Sequence, residues 1–151
     1  LAGAAVNLLV QWIMERRRET RKLRNLKFEF ELNIKKIDRW IEEITAYRNA
    51  VNGDSLKTYF GYFDLSRAVY ATANDMFISG LLYKNLSHED IGKLQVIFGE
   101  FSANGENYLS NQIAQNRANF NKPKAVADVN FWEKKFKEHK KTLEDILKKL
   151  G

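Results

Sequence analysis

No proline interrupts the first third of the chain, and the first turn signal is Asn52-Gly53-Asp54. A proline inside a helix removes a hydrogen bond and clashes with the preceding turn, so a long run without one leaves a long helix open to the chain. Leu1 to Val51 therefore reads as one very long helix in three pieces. Residues 1–14 form an apolar head (LAGAAVNLLVQWIM), 15–27 a basic collar (ERRRETRKLRNLK), and the stem opens a third region, 28–151, expected to be a helical bundle domain.

The stem carries the clearest periodicity. From Phe30 the apolar residues step by four and three through Ile34, Ile37, Ile41 and Ile44, which is a heptad seam for helix packing or self-association. Leu26, Trp40 and Tyr47 widen it, so this helix faces more than one neighbour, as in a bundle. At helical rise the stem alone spans roughly 36 Å, a length that suggests self-association, with a dimer as the simplest form.

Three further helices are expected beyond the turn. Gly53 is placed to take a left-handed C-cap and Asp54 or Ser55 to cap the next helix. Helix two is drawn over about 55–85, with Leu56, Phe60, Phe63, Tyr70, Phe77 and Leu81 inward and Gly61 and Gly80 allowing close backbone approach. Ser87 begins helix three, with acids in its first turn and Asp90 near N3. It runs over about 88–120, and Ser102-Ala103-Asn104-Gly105 is the place where it can kink or break. Its inward residues are Leu94, Ile97, Phe98, Phe101, Tyr108, Leu109, Ile113 and Phe120. Pro123 breaks the chain again, Asp128 caps helix four, and Val129, Trp132, Phe136, His139, Leu143, Ile146 and Leu150 then alternate by three and four. The fold class is all-α: an antiparallel bundle of about four helices with one very long N-terminal helix. Nineteen aromatic residues, three Trp, six Tyr and ten Phe, give a chain of 151 residues enough bulk for a real core.

Charge is concentrated at the two ends. Residues 1–27 carry seven basic side chains against Glu15 and Glu19, a net of +5, and residues 122–151 carry nine lysines against five acids, a net of +4. The middle, with nine basic and twelve acidic residues, is at −3. The collar residues Arg16, Arg17, Arg18, Arg21, Lys22, Arg24 and Lys27 follow the apolar head at once, where positive-inside bias places them, and Trp12 sits at the junction as interfacial aromatics do. This order is opposite to that of a secretory signal peptide. The head would span roughly 21 Å, short of the roughly 30 Å hydrocarbon core. Because the chain opens on Leu, a transmembrane helix cut near its cytoplasmic end is the favoured reading, with the collar on anionic lipid headgroups. The alternatives are an apolar face of a bundle helix and an interfacial or oligomer-contact helix.

The second half of helix three is rich in uncharged amides, and Asn107, Asn111, Gln112, Gln115 and Asn116 form a possible polar recognition face, set against a plain polar outer surface. His139 falls on the apolar seam of helix four, which suits a neutral, hydrogen-bonded core or rim histidine. The chain has no cysteine, so disulfides and thiolate sites are excluded. No HExxH, Glu-x-x-His, P-loop or Gly-x-Ser-x-Gly occurs, and the paired acids Glu42/Glu43 and Glu144/Asp145 are adjacent, so they point apart on a helix. No enzyme, metal or cofactor is indicated. The expectation is a non-enzymatic interaction, scaffold or signalling domain on the cytoplasmic face of a membrane. One competing class is a soluble cytoplasmic protein binding nucleic acid through residues 16–27, although the base-reading pattern of basic zippers is absent. The other is a bundle sensing a small ligand through the aromatics of helix two and the amides of helix three.

Overall fold

The computed structural model describes residues 1–151, all of them helical or in short connections, with no strand. The first helix, α1, runs unbroken over Ala2–Asn52. Five more follow: α2 (Ala71–Ile78), α3 (Leu81–Asn85), α4 (His88–Glu100), α5 (Ala103–Ala118) and α6 (Lys122–Leu150). The all-α bundle with one very long N-terminal helix is as expected; the helix count is six rather than about four.

The frame is the antiparallel pair α1 and α6. Three polar contacts fix its direction, because the α6 number rises as the α1 number falls: Arg48 with Glu133 at 2.8 Å, Lys140 with Asp38 at 2.6 Å, and Lys27 Nζ with the Gly151 carbonyl at 2.7 Å. The stem seam packs here. Phe30, Ile37 and Ile44 are fully buried, and Ile34 and Ile41 lie against the same core. Burying each such side chain contributes roughly 1.5–3 kcal/mol. The seam therefore closes the bundle, and a dimer would have to use another surface. Trp40 stands at the centre, with ring centroids 4.9 Å from Phe101 at the C-terminal end of α4 and 5.9 Å from Phe136 on α6.

The largest departure from the sequence reading is helix two. Between α1 and α2 the chain makes two short 3₁₀ turns, Leu56–Thr58 and Leu65–Arg67, joined by extended backbone. We call Tyr59–Tyr70 the strap. Its aromatic residues lose rotamer freedom in a helix and favour extended backbone, and α1 supplies partners for the polar groups that a helix would have paired internally. Asn33 pairs with the Val69 backbone in both directions, at 2.7 Å each way. Glu29 accepts the N–H groups of Thr72 and Ala73 at 2.7 and 3.2 Å, which are the N2 and N3 donors of α2. Asp64 accepts from Trp40 Nε1 at 2.8 Å. Asn33, Trp40 and Glu43, which accepts from the Tyr59 hydroxyl, thus form a stripe down α1 that holds the strap, and Glu29 continues it to the start of α2. Leu56, Phe63 and Leu81 are buried as expected, whereas Phe60 is 78% exposed.

Smaller corrections follow from local geometry. After α1, Gly53 has φ −92° and Asp54 takes the left-handed conformation instead, at φ 53°; a short polar side chain tolerates that region. Gly80, at φ 79°, separates α2 from α3. Ser87 caps α4 by accepting the Asp90 N–H, as the sequence predicts. Helix three breaks at Ser102, whose hydroxyl caps α5. Leu109 and Ile113 are inward as expected, whereas Tyr108 is exposed on α5 and Phe120 is exposed beyond its end. Asn121, not Asp128, caps α6, and Pro123 sits inside its first turn, where a missing N–H costs nothing.

Candidate functional site

Residues 1–18 of α1 project past the rest of the molecule, every one of them exposed. At 3.6 residues per turn, Asn7, Gln11, Arg18 and Asn25 share one narrow stripe. Met14 interrupts that stripe, Val6, Leu8, Leu9, Trp12 and Ile13 cover the remaining circumference, and all are exposed. Such a cylinder has no broad polar face of the kind that keeps an amphipathic helix flat on a surface. No helix of the structure is long and apolar enough to cross a membrane.

The collar follows this cylinder along the axis. Arg16, Arg17, Arg18, Arg21 and Arg24 are exposed and at 3.6 residues per turn fan over roughly half of the circumference, while Arg16 stacks over the Trp12 ring at 4.7 Å. Lys22 and Lys27 lie where α1 enters the bundle. Lys22 pairs with Asp75 of α2 at 2.8 Å, and Lys27 is spent on the Gly151 carbonyl. Five arginines are thus free for an external anion, and two lysines of the predicted set belong to the bundle.

The predicted amide face divides. Asn107, Asn111 and Gln115 lie on the exposed side of α5. Gln112 and Asn116 turn inward and serve the packing of α5 on α6: Gln112 Oε1 accepts from Trp132 Nε1 at 2.7 Å, and Asn116 Nδ2 reaches the Tyr47 hydroxyl and Asp128 Oδ2, both at 2.9 Å. Burial lifts the Tyr47 phenol above its ordinary pKa. Next to it, Tyr59 stacks on Tyr47 at 5.2 Å and donates to Glu43 Oε1 at 2.6 Å. Burial, reinforced by the Glu43 carboxylate, raises Tyr59 far above the usual phenol range.

His139 is buried at the α4–α6 contact and donates from Nε2 to Glu100 Oε2 at 2.5 Å, with Lys135 Nζ on the other oxygen at 2.8 Å. Burial alone would raise the Glu100 carboxyl; the hydrogen bonds from Lys135 and His139 override it and hold it below the ordinary value. This cluster joins two helices. The structure brings together no three His, Asp or Glu side chains able to hold a metal ion.

Two cavities accompany the strap. One, of about 280 Å³, lies between α2, α3 and α4 and is lined mainly by Tyr70, Phe77, Leu82, Ile91, Leu94 and Phe98 with Asn74 and Gln95; none of the α5 amides reaches it. The other, of about 260 Å³, lies between the strap and α5 beside Arg117. Sequence reasoning missed Arg117, because its significance depends on a strap that was expected to be helix. No protein-family model, characterised protein or solved structure matches the chain.

Proposed function

We propose that the chain is a non-enzymatic helical interaction module tethered to the cytoplasmic face of a membrane through the projecting N-terminal part of α1. The observation that carries this reading is the order along that end: an apolar cylinder without a broad polar face, then a collar of five exposed arginines, then the bundle. A helix entering lipid end-on meets hydrocarbon first and headgroups second, and this end matches that sequence of environments. Residues 1–14 alone account for roughly 21 Å of that path at helical rise. The bundle is then displayed on a rigid stalk, because α1 continues unbroken from head to core.

Sedimentation with phosphatidylcholine vesicles, with and without phosphatidylserine, tests the proposal. The full chain is expected to pellet with the anionic vesicles. Each arginine near such a surface contributes about 1 kcal/mol, so replacing Arg16, Arg17, Arg18, Arg21 and Arg24 together with Gln should weaken binding on the order of a hundredfold or more. Leu9→Asp with Ile13→Asp should weaken binding even at low salt, when the collar is intact. A chain that remains in the supernatant with both vesicle types would refute the tether.

A further inference from the structure

Arg117 Nε is a buried side-chain nitrogen with no hydrogen-bond partner, and no other buried side-chain nitrogen or oxygen in the molecule shares that condition. Buried donors are almost always paired, because the water lost on burial has to be replaced. The guanidinium also lacks an ionic partner. Its one hydrogen bond runs from Nη2 to the Tyr59 carbonyl at 2.5 Å, and it stacks on the Phe60 ring at 4.8 Å. A partly buried cation held by a carbonyl and an aromatic face, with a donor left over, is electrostatically incomplete.

The cavity of about 260 Å³ opens beside it, bounded by Phe60, Gly61, Phe63, Ser110, Ile113 and Arg117. Ser110 and Arg117 are seven residues apart on α5 and share a face. The nearby acids are already engaged: Glu106 accepts the N–H and hydroxyl of Ser66 at 3.2 and 2.9 Å, and Glu43 accepts from Tyr59. The lining is otherwise apolar, and Phe60 stays on the outside of the strap although it is large and hydrophobic.

We infer that this cavity is a binding site for a small organic carboxylate, one carboxyl group on a compact apolar or aromatic body. The carboxylate takes the Nη donors of Arg117 that the Tyr59 carbonyl leaves free and the Ser110 hydroxyl, and the body lies against Phe60, Phe63 and Ile113. A planar carboxylate matches the guanidinium fork and balances its single charge; a phosphate dianion would bring two charges to one cation. The site stands near Glu43 and Tyr47, roughly 40 Å along α1 from the collar, so it is independent of the membrane reading and is tested separately.

The test is NMR titration of the ¹⁵N-labelled full chain with phenylacetate, isovalerate, phenylacetamide and inorganic phosphate. Phenylacetate or isovalerate should shift the Arg117 Nε–H signal and the amides of Gly61 and Ser110 saturably. Phenylacetamide, which keeps the shape and loses the charge, should bind about tenfold more weakly or worse, and phosphate should not compete. Arg117→Gln should abolish the response. Arg117→Lys, which keeps the charge and the stem, guards against a folding artefact and should retain a weakened response. Absence of a saturable shift with both carboxylates overturns the site, as does equal binding of the amide or an unchanged response in Arg117→Gln.

Discussion

Trp40 and Asp64 meet at the junction of α1 and the strap, where the indole Nε1–H donates to Asp64 Oδ1 at 2.8 Å and both residues are buried. Arg39 Nη2 reaches both carboxylate oxygens from the solvent side, at 2.9 and 3.0 Å. Asp64→Ala removes the acceptor and leaves a buried indole N–H unpaired. The expected loss is about 1–3 kcal/mol by urea denaturation. Arg39 is more than half exposed, and Arg39→Ala should cost about 1 kcal/mol or less. Equal losses for the two variants would show that the indole bond is not what matters.

Acid should undo the same contacts. Burial alone would raise Asp64, but the Trp40 hydrogen bond and the Arg39 charge hold it below the ordinary carboxylate value. Glu100 is held low by Lys135 and His139 against its own burial. Groups with depressed folded pKa values stabilise the fold fully above the unfolded carboxylate range and lose that contribution as pH falls through the folded values. Stability should therefore decline below about pH 5. Glu100→Gln should flatten that decline by up to about 1.4 kcal/mol per pH unit, read from denaturation midpoints across the acid range.

Glu29 acts as an N-cap supplied from another helix. Tyr70, at the cap position of α2, makes no side-chain cap bond, and Glu29 accepts the two free N–H groups instead. Glu29→Ala should cost about 1–2 kcal/mol, in the range of a lost cap. The α2 amides should exchange with deuterium faster while those of α6 keep their relative protection. Uniform acceleration through both helices would mean that α2 has no separate stability to lose.

Glycines with different surroundings make a paired comparison. A Cβ at Gly105 would overlap the Glu100 carbonyl oxygen, which is backbone and fixed by the α4–α5 break. Gly105→Ala is expected to lose about 1–3 kcal/mol. A Cβ at Gly92, inside α4, meets nothing within 4 Å, so Gly92→Ala should gain about 0.5–1 kcal/mol from helix propensity. Thermal melts of the two variants should move in opposite directions.

Much of the helical frame was legible in the chain. The stem seam, the Ser87 cap, the break near Ser102 and the apolar stripe of α6 are local patterns, set by residues three and four apart, and all appear in the structure. His139 was placed correctly on that stripe, but its partner Glu100 lies 39 residues away on another helix. The amide face illustrates the boundary: Asn116 and Gln112 look like Asn111 and Gln115 in the sequence, and only the position of α6 separates packing amides from exposed ones.

The sequence by itself determined that the chain is all-helical, that its first helix is very long, and that an apolar head and basic collar stand at one end of it. These follow from periodicity, proline placement and charge order, which act within a few residues. Tertiary structure alone decided that the aromatic segment after Asn52 is a strap rather than a helix. Its chain could leave the helical state because Asn33 on α1 pairs with the Val69 backbone and Trp40 and Arg39 hold the Asp64 carboxylate, partners 24 to 36 residues away in the chain. The Arg117 guanidinium, bonded to the Tyr59 carbonyl but without an ionic partner, and the cavity beside it exist because that segment is a strap.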